Sequence, residues 1–441
     1  MTKLLFISLG CDKNLVDSEQ MLGLLEEKGY AFTDDEAEAE VIVINTCCFI
    51  NDAKEESINT ILKMAEYRKS GPCKALIVAG CLAQRYHQEI QEEIPEVDAV
   101  LGTTAYDALP EILDHVRNGA REQRLADLNR LVRPKTKRQL TTGGHYAYLK
   151  IAEGCDKHCT YCIIPKVRGS YRSVPMEQLL EEAAGLAEQG VKELILVAQE
   201  TTLYGLDLYG EKRLPALLKG LCKIRGLRWI RLQYCYPEEM TRELIEVIKE
   251  EPKICHYLDL PIQHASDRML KRMGRKTTRE HLEGILRDIR AAIPDICLRT
   301  TLITGFPGET EEDHEELMAF IDAWEFDRLG VFTYSQEEDT LAAEMPDQVP
   351  EEVKEDRKAR LMELQQEIAF DKAEAMTGRE LRVLIEGQVS GENVYVGRTY
   401  RDAPDVDGYI FINTEETLVS GDFARVRVTG AYEYDLIGEL L

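Results

Sequence analysis

No apolar run in these 441 residues is long enough to span a bilayer. The opening stretch, Met1 to Ile7, runs into glycine and charge too soon for a secretory signal, so the expected location is the cytoplasm. Cations are also short. There are 54 Lys plus Arg against 80 Asp plus Glu, a formal net charge of −26. That balance excludes broad, sequence-independent binding of nucleic acid, which needs cations to meet phosphates. It fits a basic partner, or simple solubility. Cysteine, by contrast, is plentiful. Twelve of them in a reducing compartment point to metal rather than to disulfides. With 44% hydrophobic and 30% charged residues the chain reads as soluble and globular, and its length allows two or three domains.

Three of the cysteines, Cys155, Cys159 and Cys162, fall within eight residues, at spacings of four and then three. Thiolates bind soft ions and iron–sulfur clusters, and one loop with this spacing can wrap a single centre. A closed cluster site takes four cysteines, so three leave one iron open to a ligand that is not protein. The competing reading is a zinc loop with His158 as fourth ligand. His158 is adjacent to Cys159, and neighbours rarely reach one ion without strain.

From residue 1 to about 120, apolar runs (Leu4–Leu9, Val41–Asn45, Leu76–Ala79, Val97–Leu101) alternate with helical patterns such as Leu15–Glu27 and Ala53–Tyr67. The alternation predicts an α/β domain with a doubly wound parallel sheet, residues 1–129. Cys11, Cys47 and Cys81 each fall just past a predicted strand, on the edge where such sheets bind ligands. They form a second candidate set of three, against the alternative of three buried structural cysteines. Cys48 leaves the middle ligand open; the strand end favours Cys47. Cys73 reads as structural or exposed. Residues 130–144 are a linker, and within it Arg130 to Arg138 carries five cations and no acid, a solvated connector in composition.

From 145 to 350, six predicted strands (Tyr146–Ile151, Glu193–Ala198, Trp229–Gln233, Tyr257–Leu260, Cys297–Ile303, Gly330–Tyr334) alternate with longer helices. They predict a partial (β/α)6 barrel related to the TIM barrel, with the cysteine loop on its C-terminal face. Gln199 to Thr202, Asp259 to His264 and Thr304 to Glu309 (TGFPGE) should line the same face. Glycine and proline in TGFPGE would let backbone approach a ligand. Residues 351–375 read as a connecting helix. In 376–441, about five short strands predict a small antiparallel β-barrel of the oligonucleotide-binding kind. That domain holds six Arg, no Lys and twelve Asp plus Glu, a net of −6, which suits a basic protein better than phosphates.

The CxxxCxxC loop, with Tyr161 before its last cysteine, resembles the signature of radical S-adenosylmethionine enzymes, and the whole layout resembles the methylthiotransferase family. The resemblance implies two 4Fe–4S clusters and S-adenosylmethionine. Cys155, Cys159 and Cys162 would hold the radical cluster, and Cys11, Cys47 and Cys81 an auxiliary one. Tyr161, Gln199, Thr304, Gly305, Pro307 and Glu309 would lie on the S-adenosylmethionine side, with no conventional catalytic base. It implies a C-terminal TRAM domain and a donor such as flavodoxin or ferredoxin. Ser8 to Glu19 (SLGCDKNLVDSE) and Gly397 to Ile412 resemble the branch that methylthiolates an aspartate in the twelfth protein of the small ribosomal subunit. The chain departs from that branch's commoner pattern at Asp12, Cys48 and Glu200. The other branch modifies a tRNA adenosine beside the anticodon, and tRNA is the less expected substrate here.

Overall fold

The central strands of the first sheet show why this chain folds as it does. Val41–Thr46 (β3) and Ala75–Gly80 (β4) are buried at every position, as parallel strands covered on both faces must be. The computed structural model describes residues 2–134 and 136–441; Met1, and Lys135 within the basic stretch, lie outside the described residues. The chain divides into two compact units.

The first unit comprises residues 1–141, 152–174 and 335–343. Its six-stranded parallel sheet has the order β2-β1-β3-β4-β5-β6, with β1 Lys3–Ser8, β2 Ala31–Phe32, β5 Ala99–Leu101 and β6 Glu122–Arg124. This is the flavodoxin-like order, whose switch point lies between β1 and β3. Side chains alternate between faces. Val41, Val43, Ala75 and Ile77 join Leu4 and Leu25 in one core. Ile42, Ile44, Leu76 and Val78 join Cys48, Ile163 and Val167 in the other. The short helix Ile164–Arg168, directly after the cysteine loop, thus buries Ile163 and Val167 on the sheet that carries Cys81. Strands β8 (Ala152–Glu153) and β9 (Arg172–Ser173) pair antiparallel and close the loop's base.

The second unit comprises 142–151, 175–334 and 344–441. Six parallel strands form an open sheet in sequence order: β7 Tyr146–Lys150, β10 Glu193–Val197, β11 Trp229–Leu232, β12 Ile254–Asp259, β13 Cys297–Thr304 and β14 Arg328–Thr333. Helix Glu351–Glu374 follows, and then a closed five-stranded barrel of β15 Glu380–Gln388, β16 Val394–Arg398, β17 Ile410–Asn413, β18 Phe423–Tyr432 and β19 Asp435–Leu440. Its pairs are antiparallel except β17 with β19, which is parallel.

One reading needs correction. The stretch 130–138 is not a solvated connector. Arg138 is buried and its Nε lies 2.9 Å from Glu19 Oε2, while Val132 sits in the sheet's core. A Cβ at Gly23, on the helix Asp12–Glu27, would lie 2.2 Å from the Lys137 carbonyl. Arg138 is thus spent on the first helix, and Arg130 pairs with Asp107. The segment following β16 is also held by ion pairs within the second unit. Arg398 and Arg231 both reach the buried Glu193 carboxylate, at 2.7 and 2.8 Å. Arg401 pairs with Asp327 and Arg328 with Asp402, and Tyr257 donates to Asp407. Glu193 and Arg328 open their strands and Asp327 directly precedes β14, while Arg231 and Tyr257 lie within β11 and β12. The segment stops the N-terminal end of the open sheet.

Candidate active site

Strand geometry places the first thiol set. Cys11 follows the β1 turn, Cys47 directly follows β3 and Cys81 opens the helix after β4. Cys11 and Cys47 therefore flank the switch point, where the crossovers diverge and leave a crevice. The chain must turn sharply at each place. Gly10 and Gly80 have φ of +91° and +94°; a Cβ on Gly10 would fall 2.6 Å from Cys47 Cβ, and one on Gly80 would fall 2.5 Å from the Thr46 carbonyl. Only glycine permits both the angle and the approach. The three thiols are close enough to act on one another's charge. Burial, then Cys81 and Cys11, pushes Cys47 up to about 12. Burial also raises Cys81, with Arg168 pulling against it.

Cys48 differs from Cys47 in its surroundings. It is fully buried in the apolar core beside Leu76 and Val78, and its thiol is raised by burial first. Its nearest charges are Cys81, Cys47 and Arg85, whereas Cys47 feels both Cys81 and Cys11. Cys73 is structural: it is buried, with its thiol donating to the Ala75 carbonyl at 3.3 Å. All twelve cysteines are free thiols.

The second set sits in the loop that leaves β7. Cys155 and Cys159 are buried and Cys162 half-buried, and burial followed by Cys159 raises the Cys162 thiol. The Lys157 amide lies 3.5 Å from Cys155 Sγ. His158 is exposed, with φ of +51°. Tyr161 is half-buried. Among the described residues, no three His, Cys, Asp or Glu side chains are grouped as ligands of a single metal ion. The donors offered are thiol sets, which suit a cluster whose ligands bind separate irons.

Two features around the thiols carry no signal in a sequence scan. Arg168, 2% exposed, lies with Nε 3.3 Å from Cys81 Sγ and Nη1 2.7 Å from Asp17. The segment 335–343 forms a strap. Glu337 is buried against Lys54 at 2.9 Å and Arg85 at 3.0 Å, and the Ala342 amide donates to the Thr160 carbonyl, inside the cysteine loop. A buried ion group of this kind holds segments in register.

In the second unit, Gln199 follows β10 and is half-buried, and Thr304 ends β13 and is buried. TGFPGE packs against protein rather than open space. A Cβ at Gly305 (φ +70°) would meet Lys354 Cγ at 2.2 Å, and one at Gly308 would meet Arg272. The Pro307 carbonyl accepts from Arg272. Glu309 accepts from Thr304 Oγ1, the Phe306 amide and Arg357. Burial pushes this carboxyl up to about 7 against the pull of Arg357. Glu309 therefore stiffens the turn from behind, and Thr304 is the member of the segment placed at a strand end. His264 is fully buried. Its Nδ1 accepts from the Ala265 and Ser266 amides, both at 3.0 Å, and burial lowers it to about 3.

Comparison with known proteins supplies what geometry alone does not. Residues 3–102 match a model described as uncharacterized protein family UPF0004, residues 149–321 the radical SAM superfamily and residues 377–441 the TRAM domain. The chain is 64% identical over 436 residues to a protein of Lachnoclostridium phytofermentans named ribosomal protein uS12 methylthiotransferase RimO, covering 99% of each chain. A protein of the same name from Clostridioides difficile is 49% identical, covering 100% of this chain and 99% of that one. The fold is also like that of the radical S-adenosylmethionine methyltransferase TsrM from Kitasatospora setae, at a TM-score of 0.56 and 14% identity, over 76% of this chain and 72% of that one.

Proposed function

Because this chain belongs to the RimO family of ribosomal protein uS12 methylthiotransferases, we propose that it adds a methylthio group to the β-carbon of an aspartate in uS12. The observation that carries the reading is 64% identity across 99% of both chains. The chain is a radical S-adenosylmethionine enzyme, and with that class come S-adenosylmethionine and a 4Fe–4S cluster. We assign the cluster to Cys155, Cys159 and Cys162, and a second one to Cys11, Cys47 and Cys81. Three thiols per set, at turns that glycine shapes, are the donor chemistry such clusters take. When bound, the first cluster with S-adenosylmethionine supplies a radical able to take hydrogen from a carbon that no base could deprotonate.

The chain's own residues do the placing. The three loop thiols would hold three irons and leave the fourth for S-adenosylmethionine. The family resemblance assigns Thr304 and Gln199, at C-terminal strand ends of the second unit, to S-adenosylmethionine, as it does Tyr161 beside the last thiol. Gly305, Pro307 and Glu309 would act by holding the Thr304 turn rigid. The methylthio group would be delivered from the Cys11, Cys47 and Cys81 side.

Charge supports uS12 over tRNA. Arg398 and Arg401 are engaged inside the second unit, and Arg425 and Arg427 pair with Glu380. Glu392, Glu415, Glu416 and Glu433 remain exposed on the small barrel. Such a surface attracts a basic ribosomal protein and repels phosphate. The place of work would be the cytoplasm, with flavodoxin or ferredoxin as electron donor. No helix among the described residues is long and apolar enough to cross a membrane.

The test is a parallel assay of the reconstituted enzyme with a peptide copying the uS12 loop and with unmodified tRNA, read by mass spectrometry. A methylthio group on the peptide aspartate is expected, at a rate that falls as salt rises. Modified tRNA with untouched peptide would overturn the assignment.

A further inference from the structure

We propose that Arg168 is a positioning residue of the auxiliary centre: its Nε–H donates to the Cys81 sulfur and makes that centre easier to reduce. The inference rests on Cys11, Cys47 and Cys81 being the ligands of that centre.

Arginine cannot shed its charge in a protein, so burying one requires a partner for each face of the guanidinium. Arg168 is 2% exposed. Its Nη1 donates to Asp17 Oδ2 at 2.7 Å and to Glu153 Oε2 at 3.2 Å, and its Nη2 donates to Asn14 Oδ1 at 2.5 Å. These contacts hold the fork from one side and prevent it from turning away. The Nε is left aimed at Cys81 Sγ, 3.3 Å away. A neutral thiol is a weak acceptor, whereas a thiolate ligand accepts strongly from a charged donor. The pocket is therefore complete only when Cys81 is ligated as thiolate.

Two consequences follow. An added electron increases negative charge on the cluster sulfurs, and hydrogen bonds to those sulfurs favour the reduced state. The arginine also belongs to the other thiol set by sequence. It ends the helix Ile164–Arg168 that follows Cys162, and Val167 on that helix shares a core with Cys81. The segment that completes the radical loop thereby also grips an auxiliary ligand. Asn14, Asp17, Glu153 and Arg168 come from three stretches of sequence, and Asn14 and Asp17 share a segment with one of the cysteines, Cys11.

The experiment uses full-length protein carrying Cys155→Ala, Cys159→Ala and Cys162→Ala, reconstituted anaerobically, so that only the auxiliary centre is present. Its midpoint potential is followed by electron paramagnetic resonance during a redox titration. Arg168→Gln should shift the potential downward, and Arg168→Lys, which keeps the charge without the fork, should fall between. Asp17→Asn removes a negative charge on the far side of the guanidinium and should shift it upward. Damage to the fold alone would not give opposite signs. An iron content of about four per chain with unchanged potential in Arg168→Gln overturns the proposal and leaves the ligands standing. Should that variant fail to fold, an unchanged or lowered potential in Asp17→Asn overturns it equally. No iron in the folded parent protein overturns instead the ligand assignment on which it rests.

Discussion

Both units bury arginines against carboxylates, yet they use them differently. In the thiol-bearing unit, Arg168, Arg85 and Arg138 each join stretches of chain that are far apart in sequence, and Arg168 touches a cysteine at a strand's C-terminal end. In the barrel unit, Arg231 and Arg398 meet Glu193, the first residue of β10, and Arg328 opens β14. These pairs sit where strands begin. In parallel α/β folds ligands bind where strands end. The same chemistry is therefore a site feature in one unit and a stopper in the other, and strand polarity tells them apart. A perturbed arginine or carboxylate alone would not.

The contrast breaks most completely at the thiols. Replacing Cys155, Cys159 and Cys162 by alanine should remove about four irons per chain and abolish 5′-deoxyadenosine formation. Replacing Cys11, Cys47 and Cys81 should remove a similar amount and leave S-adenosylmethionine cleavage, with the methylthio product gone. Iron and sulfide assays with chromatography of the nucleoside check both. Equal loss of cleavage in the two variants, with the loop cluster retained, would refute the division.

Glu193→Gln tests the stopper. Two buried arginines would lose their shared carboxylate, and breaking such a group costs about 3–5 kcal/mol. Denaturant unfolding should show that loss, while nucleoside formation per folded molecule stays unchanged. A folded variant that binds S-adenosylmethionine normally but cannot cleave it would mean that the two ends of the barrel are coupled.

A smaller effect is expected from His264. Its folded pKa, about 3, lies below the ordinary value of 6.5 because burial disfavours the cation, and its Nδ1 already accepts two amides. A depressed value contributes stability that is complete above 6.5 and lost as pH falls toward 3. By pH 4 the loss attributable to this group is about 3 kcal/mol. His264→Asn, which keeps an acceptor and cannot titrate, should unfold at lower pH than the parent. Coincident acid transitions would show that the ring opens to solvent before it charges.

Much of this was legible. The six barrel strands, the helices Met176–Glu188 and Glu311–Trp324 and both thiol sets are visible as apolar periodicity and spacing, because each is set by residues near in sequence. What escaped was set at a distance. Strand β6 reads EQR and lies at the sheet's edge, and β2 has two residues, so neither carries an apolar signal. The basic stretch looked solvated because its partner, Glu19, lies on a helix more than a hundred residues earlier. The segment after β16 shows its family likeness in sequence but not its packing, because Arg398 and Arg401 meet Glu193 and Asp327 from far along the chain. Arg168 follows a cysteine motif without belonging to it.

The finest distinction is between Cys47 and Cys48, adjacent residues just past the end of β3 with different surroundings. Cys48 fills the core formed by Ile44, Leu76 and Val78, while Cys47 is held against the Gly10 turn that carries Cys11. Cys48→Ala should leave a small void and cost about 1 kcal/mol, a loss comparable to that of other single-group core truncations. Its iron content should match that of the parent. Cys47→Ala should lose the auxiliary irons at little cost to the apolar core, because its thiol is not packed there. Measuring iron and unfolding free energy on the same preparations separates the two roles. If Cys48→Ala loses iron while Cys47→Ala keeps it, the sheet face presenting the auxiliary ligands is the opposite one, and the positions of Cys11 and Cys81 must be reread with it.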